Sequence, residues 1–87
     1  RLTLLTDAVV ARVNTRDGKA TGVTYIDRVT REAREARGRI VLLCASSLES
    51  TRLLMNSGLG GESGTLGRYL MDHIFEGGAS GIMPSIE

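Results

Sequence analysis

The chain has 87 residues with eleven basic and ten acidic side chains, and a net charge of +1 leaves no electrostatic case for nucleic acid or an anionic membrane. Its single cysteine excludes an intrachain disulfide and a zinc cluster. Hydrophobic residues make up 41% of the chain but aromatic ones only 3%, which is thin for a self-sufficient core and, with Arg1 in place of an initiator Met, reads as a piece of a larger protein.

Leu2-Thr3-Leu4-Leu5-Thr6 reads as a first short strand ending at Asp7. Residues 9–13 continue extended, with Val9, Ala11 and Val13 on one side and Val10 and Arg12 on the other. Asp17-Gly18 then supplies a two-residue hairpin turn, because both turn positions need positive φ. The return strand covers residues 20–27, and a two-residue loop places Val10 opposite Tyr25. Residues 30–37, TREAREAR, have helical propensity but no bulky apolar stripe, so they read as the third, exposed strand of an antiparallel meander with a solvated charged face.

The organising stretch is residues 38–58, GRIVLLCASSLESTRLLMNSG. Its apolar run at residues 40–45 is too short to cross a membrane and does not alternate, the pattern of a strand buried on both faces of a parallel sheet. Cys44 within it reads as a small core residue. Ser46-Ser47-Leu48-Glu49 has the spacing of a capping box and predicts a helix that ends near Gly58. On that helix Glu49 and Arg52 can pair at adjacent turns. A buried strand turning onto a helix N-terminus places unpaired N–H groups at the carboxyl edge of a sheet, where open α/β sheets bind nucleotides. Such turns occur in every α/β protein, so the turn alone does not require a ligand.

The glycines of residues 58–64 match neither the dinucleotide fingerprint nor the P-loop and read as a linker. Residues 66–73, LGRYLMDH, predict one or two helical turns, and residues 74–86 an extended segment that opens another domain. Asp72-His73 has the composition of a tuned general base, but sequence neighbours often point apart, and hydrogen bonding at a domain crossover is the preferred role. No stretch has the pattern of a signal peptide or a membrane-spanning helix, and a cytoplasmic parent is the expectation.

The succession of strand, Asp-Gly hairpin, GVTYID, charged segment, RIVLLCASSLESTRLLMNSG and SGTLGRYLMDH resembles the middle of the glucose–methanol–choline (GMC) oxidoreductase family of flavoenzymes. The resemblance implies an α/β fold, as an α+β fragment. It would be part of an FAD/NAD(P)-binding Rossmann-like domain with an antiparallel β-meander, a buried parallel strand and a following helix. It further implies a partial FAD-binding domain over residues 1–73 and the start of a substrate-binding domain over residues 74–87. The cofactor would be FAD and the parent's partner a small alcohol or sugar, with no nucleic acid and no membrane insertion. By the same resemblance the backbone of Val10 meets the adenine, and Ala45 and Ser46 lie against the adenosine half of the cofactor. Ser46 stands where the family usually has Gly, which permits close backbone approach. No metal ligand is implied, and the family's catalytic His lies outside these residues, so this piece alone is expected to show no turnover. The alternative is a non-enzymatic α/β module that binds a nucleotide or an anion at the Ser46 turn, or that packs against a partner chain.

Overall fold

The computed structural model describes residues 1–71 and residue 81 of the chain. Among them are three strands, β1 (Ala8–Arg16), β2 (Lys19–Asp27) and β3 (Ala33–Arg37), followed by one helix, α1 (Ser46–Asn56). The strands form an antiparallel meander in the order β1-β2-β3. The described part is therefore α+β, as expected for a fragment of a Rossmann-like FAD-binding domain.

Asp17 and Gly18 form the first turn with φ of 51° and 72°, the left-handed pair whose twist matches that of the strands it joins. Val10 lies opposite Tyr25 as the two-residue loop predicts, but the ladder between them is not regular. The pairing skips Thr21 on β2 and Ala11 on β1, two one-residue bulges on opposite strands that cancel. The bulge at Ala11 also resets the alternation. Val10 and Val13 pair with Tyr25 and Val23 and so share a face, while Arg12 pairs with Thr24 on the other. The expected separation of Val10 from Val13 is corrected by that extra residue.

The second turn is built on Asp27, whose Oδ1 accepts from the N–H groups of Val29 and Thr30 at 2.9 and 3.0 Å. Those donors, Thr30 first and Val29 second, hold the Asp27 carboxyl below its ordinary value of 3.8. The charged segment is a strand over Ala33–Arg37, as predicted. Helical propensity loses because a free β2 edge would leave a row of backbone groups unpaired, and because Ala36 lies opposite Val23. Gly22 sits between Asn14 and Arg37 at φ 149°, and a Cβ there would come within 2.1 Å of the Ala36 carbonyl oxygen.

Helix α1 packs against β1 and supplies Leu53, which with Val13 forms the buried core of the described residues. Two side chains fasten the helix to the outer edge of β1. Ser57 Oγ accepts from the Val13 N–H at 2.8 Å and donates to the Leu53 carbonyl, and Arg52 Nη2 donates to the Val10 carbonyl at 3.1 Å. The edge strand is thereby shielded on the side that β2 leaves open. At the C-terminus Gly58, at φ 66°, donates to Met55 O (3.1 Å) while Leu59 donates to Leu54 O (2.9 Å). This is a Schellman closure, so the helix stops where the sequence predicts.

Several expectations are corrected. Residues 1–5 make no strand, and Leu2 and Leu4 are 88% and 80% exposed. The buried strand at residues 40–45 does not form among the described residues: the segment has no ladder partner, and Ile40 and Leu42 are 79% and 80% exposed. A strand exists only beside a hydrogen-bonded neighbour, and among the described residues the sheet consists of β1, β2 and β3 alone, none of which pairs with this segment. Cys44, expected in a core, is exposed for the same reason. The capping box is absent: Ala45 is the N-cap residue with no side-chain hydrogen bond, and Glu49 turns instead to Arg52. Opposite charge outcompetes a return to a backbone N–H. Residues 66–71 form turns and bends rather than helix, with Gly67 and Tyr69 at φ of 76° and 56° interrupting any helical path. Asp72, His73 and the extended segment at 74–86, Gly81 excepted, lie outside the described residues.

Candidate functional site

Two concavities flank β1, and they differ in chemistry. The larger, about 890 Å³, spreads over the polar face of the meander, where Arg12, Arg16, Arg34 and Arg37 surround Asn14, Thr24 and Glu35. Four of its polar side chains pair with one another: Asn14 Nδ2 donates to Glu35 Oε1 (3.0 Å), Thr24 Oγ1 donates to Asn14 Oδ1 (2.9 Å), and Arg37 pairs with Glu35 (3.6 Å). That face is a solvated charge network.

The smaller, about 270 Å³, lies where α1, the edge of β1 and the segment preceding the helix converge. Ala8, Val9 and Val10 of β1 and Val23 of β2 form one wall, residues 41–45 a second, and Glu49, Arg52 and Leu53 of α1 the third. It is an apolar slot with a single charged pair, the composition of a site that takes a flat organic group and orients it with few polar contacts. Val41 and Leu43 are partly covered along this wall, Leu42 lines it while largely exposed, and Ile40 stands outside it.

Two of the three residues expected at a cofactor meet here. Val10 and Ala45 line the same slot from two of its walls. Val10 stands at a non-hydrogen-bonded position of the ladder: Arg28 N donates to Asp7 O at 2.8 Å, which fixes Ala8 and then Val10 as positions whose backbone groups point to the free edge. Ser46 does not line the slot and is exposed, and its φ of 68° places it in the left-handed region where glycine would be unstrained. Beside it, Ser47 Oγ is shielded from solvent with no hydrogen-bond partner.

Arg52 is the residue that sequence reasoning undervalued. Its pairing with Glu49 is legible from the spacing and is present, with Nε–Oε2 at 2.9 Å and Nη2–Oε2 at 2.8 Å. The third contact, from Nη2 to the Val10 carbonyl, joins residues far apart in the chain and left no signal beyond the placement of an Arg on the helix face next to β1. The Glu49 hydrogen bond raises the Arg52 guanidinium above its already high value, and the same bond holds Glu49 below 4.5. Both groups therefore stay ionised through the neutral range. Among the described residues no cluster of His, Cys, Asp and Glu could hold a metal ion, and no helix is long and apolar enough to cross a membrane.

Comparison with known proteins gives this geometry its setting. The family model described as GMC oxidoreductase matches residues 1–75. The chain belongs to the GMC oxidoreductase family. It is 42% identical over 78 residues to 2-methyl-1,2-propanediol dehydrogenase of Mycolicibacterium austroafricanum, covering 82% of this chain and 14% of that protein. It is 41% identical over 70 residues to C-glycoside 3-oxidase of Microbacterium trichothecenolyticum, covering 80% of this chain and 13% of that protein. The chain thus spans about one seventh of the length of these GMC relatives. The family is one of oxidoreductases, and the region matched belongs to its FAD-binding part.

Proposed function

We propose that this chain is part of an FAD-dependent oxidoreductase that oxidises an alcohol or sugar hydroxyl, and that its apolar slot holds the adenosine half of FAD. The observation that carries the reading is the convergence of Val10 and Ala45 on one pocket beside the start of α1. The slot suits an adenine ring: its aliphatic walls would pack against such a ring, and the Val10 carbonyl at the free edge of β1 would serve as an acceptor for it. Ser46, at the neighbouring corner, stands outside the lining, and its hydroxyl has no capping role and would be free to meet the adenosine half of the cofactor.

When bound, flavin supplies the two-electron acceptor that converts a CH–OH group to a carbonyl. This chain's own part is to bind and orient the far end of that cofactor and to exclude water from it. The division at residue 73, with an FAD-binding part before it and the start of a substrate-binding part after it, belongs to the same proposal. Family membership favours the enzyme over a non-enzymatic nucleotide-binding module. The test is reconstitution of the flavin-free, full-length polypeptide that contains this chain, followed by flavin fluorescence and visible absorption. FAD is expected to bind at least tenfold more tightly than FMN, which lacks the adenosine half. Equal affinities would remove the adenosine pocket from the account.

A further inference from the structure

The slot has one polar feature on its helix wall, and that feature touches the other wall. Arg52 Nη2 lies 2.8 Å from Glu49 Oε2 and 3.1 Å from the Val10 carbonyl, while Nε takes Glu49 Oε2 at 2.9 Å. The guanidinium is thus fixed by Glu49 from within its own helix and extends a remaining N–H to the free edge of β1. A planar fork can hold a carboxylate and a carbonyl in one plane at once, and an ammonium cannot. The second link between helix and edge, Val13 N–H to Ser57 Oγ, lies three residues along β1 and at the far end of α1. Arg52 is therefore the link nearest the slot, and Ala45, which also lines it, is the N-cap of the same helix.

We propose that Arg52 is a positioning residue for the adenine end of FAD. Clamped to Glu49, it holds the Val10 edge at a fixed separation from the Ala45 corner and orients the Val10 carbonyl. It uses one lone pair of that oxygen and leaves the other for the exocyclic amino group of the ring. The proposal rests on the adenosine-pocket reading above. It goes beyond that reading by assigning the placement of the Val10 carbonyl to a helix side chain, Arg52.

The experiment compares FAD with its hypoxanthine analogue, in which a carbonyl replaces the amino group, on the flavin-free full-length polypeptide. Arg52→Met, Arg52→Lys and Glu49→Gln are each checked for folding by circular dichroism. The unsubstituted protein is expected to prefer FAD by about tenfold or more, the scale of one lost hydrogen bond with facing acceptors. Arg52→Met should lower that preference at least threefold, with Arg52→Lys and Glu49→Gln intermediate; if the methionine variant does not fold, the other two carry the test. An unchanged preference in the folded variants overturns the role of Arg52 while leaving the pocket in place, even if all affinities weaken equally. No preference in the unsubstituted protein, with FAD still tighter than FMN, also overturns it. FAD binding no tighter than FMN overturns the underlying pocket reading and this inference together.

Discussion

Replacing Gly22 by Ala is the sharpest perturbation the meander offers. The added Cβ would stand 2.1 Å from the Ala36 carbonyl oxygen and 2.8 Å from the Arg37 Cα, both backbone atoms of β3 that have no rotamer to give. The site also lies at φ 149°, which L side chains rarely adopt. Backbone strain of about 1–3 kcal/mol and a steric cost of about 1–3 kcal/mol combine to roughly 2–6 kcal/mol, concentrated on the β2–β3 pairing. Gly18 is an internal control, since it has φ 72° but nothing within 4 Å of its added Cβ, so Gly18→Ala should cost only about 1–2 kcal/mol. Amide hydrogen exchange on the full-length polypeptide reads the difference locally. The Gly38 N–H, bonded to Thr21 O at 3.0 Å, should lose protection about 30-fold or more in Gly22→Ala and far less in Gly18→Ala. Equal loss in the two variants would refute the close approach of β3 to this glycine.

Ser46→Gly should stabilise the start of α1 by about 0.5–1 kcal/mol, seen as a raised denaturation midpoint, because it relieves a left-handed φ of 68° and removes no cap hydrogen bond. Ser57→Ala orphans the Val13 N–H and should cost about 1–2 kcal/mol, with faster exchange at that amide as the specific sign. The pH dependence follows from Asp27, whose carboxyl is held low by the Thr30 and Val29 N–H groups. Because its folded value is depressed, its contribution is fully present above the ordinary 3.8 and disappears as pH falls through the lower folded value. Asp27→Asn should flatten that acid limb in a pH titration of meander stability, and an unaltered limb would count against the turn geometry.

Local chemistry was legible where neighbours in sequence decide the structure. Asp17-Gly18 dictated the hairpin, Gly58 the helix stop, and the spacing of Glu49 and Arg52 their ion pair. The third strand was readable because TREAREAR lacks the stripe a packed helix needs, even though its propensities point the other way. What escaped depends on distant residues. Nothing near Ala11 or Thr21 marks a bulge, since bulges are fixed by how two strands twist together. The apolar run at residues 40–45 has the composition of an interior strand, but composition states what a segment would bury and not whether a neighbour is present to bury it. For the site, Val10 and Ala45 came from family likeness and meet in one slot, whereas Ser46 stands outside the lining because its backbone turns left-handed at the corner.

The paired bulges carry a consequence for how this ribbon can change. Each is a residue without an opposite number, so deleting Ala11 or Thr21 would leave every existing cross-strand partnership intact, while deleting a neighbouring residue would turn the side chains beyond it inside out. The hairpin tip is thereby decoupled from the Val10 edge. Length changes close to Asp17-Gly18 can be absorbed at Thr21 before they reach the slot, which makes the tip the place where this meander can vary without disturbing what it holds.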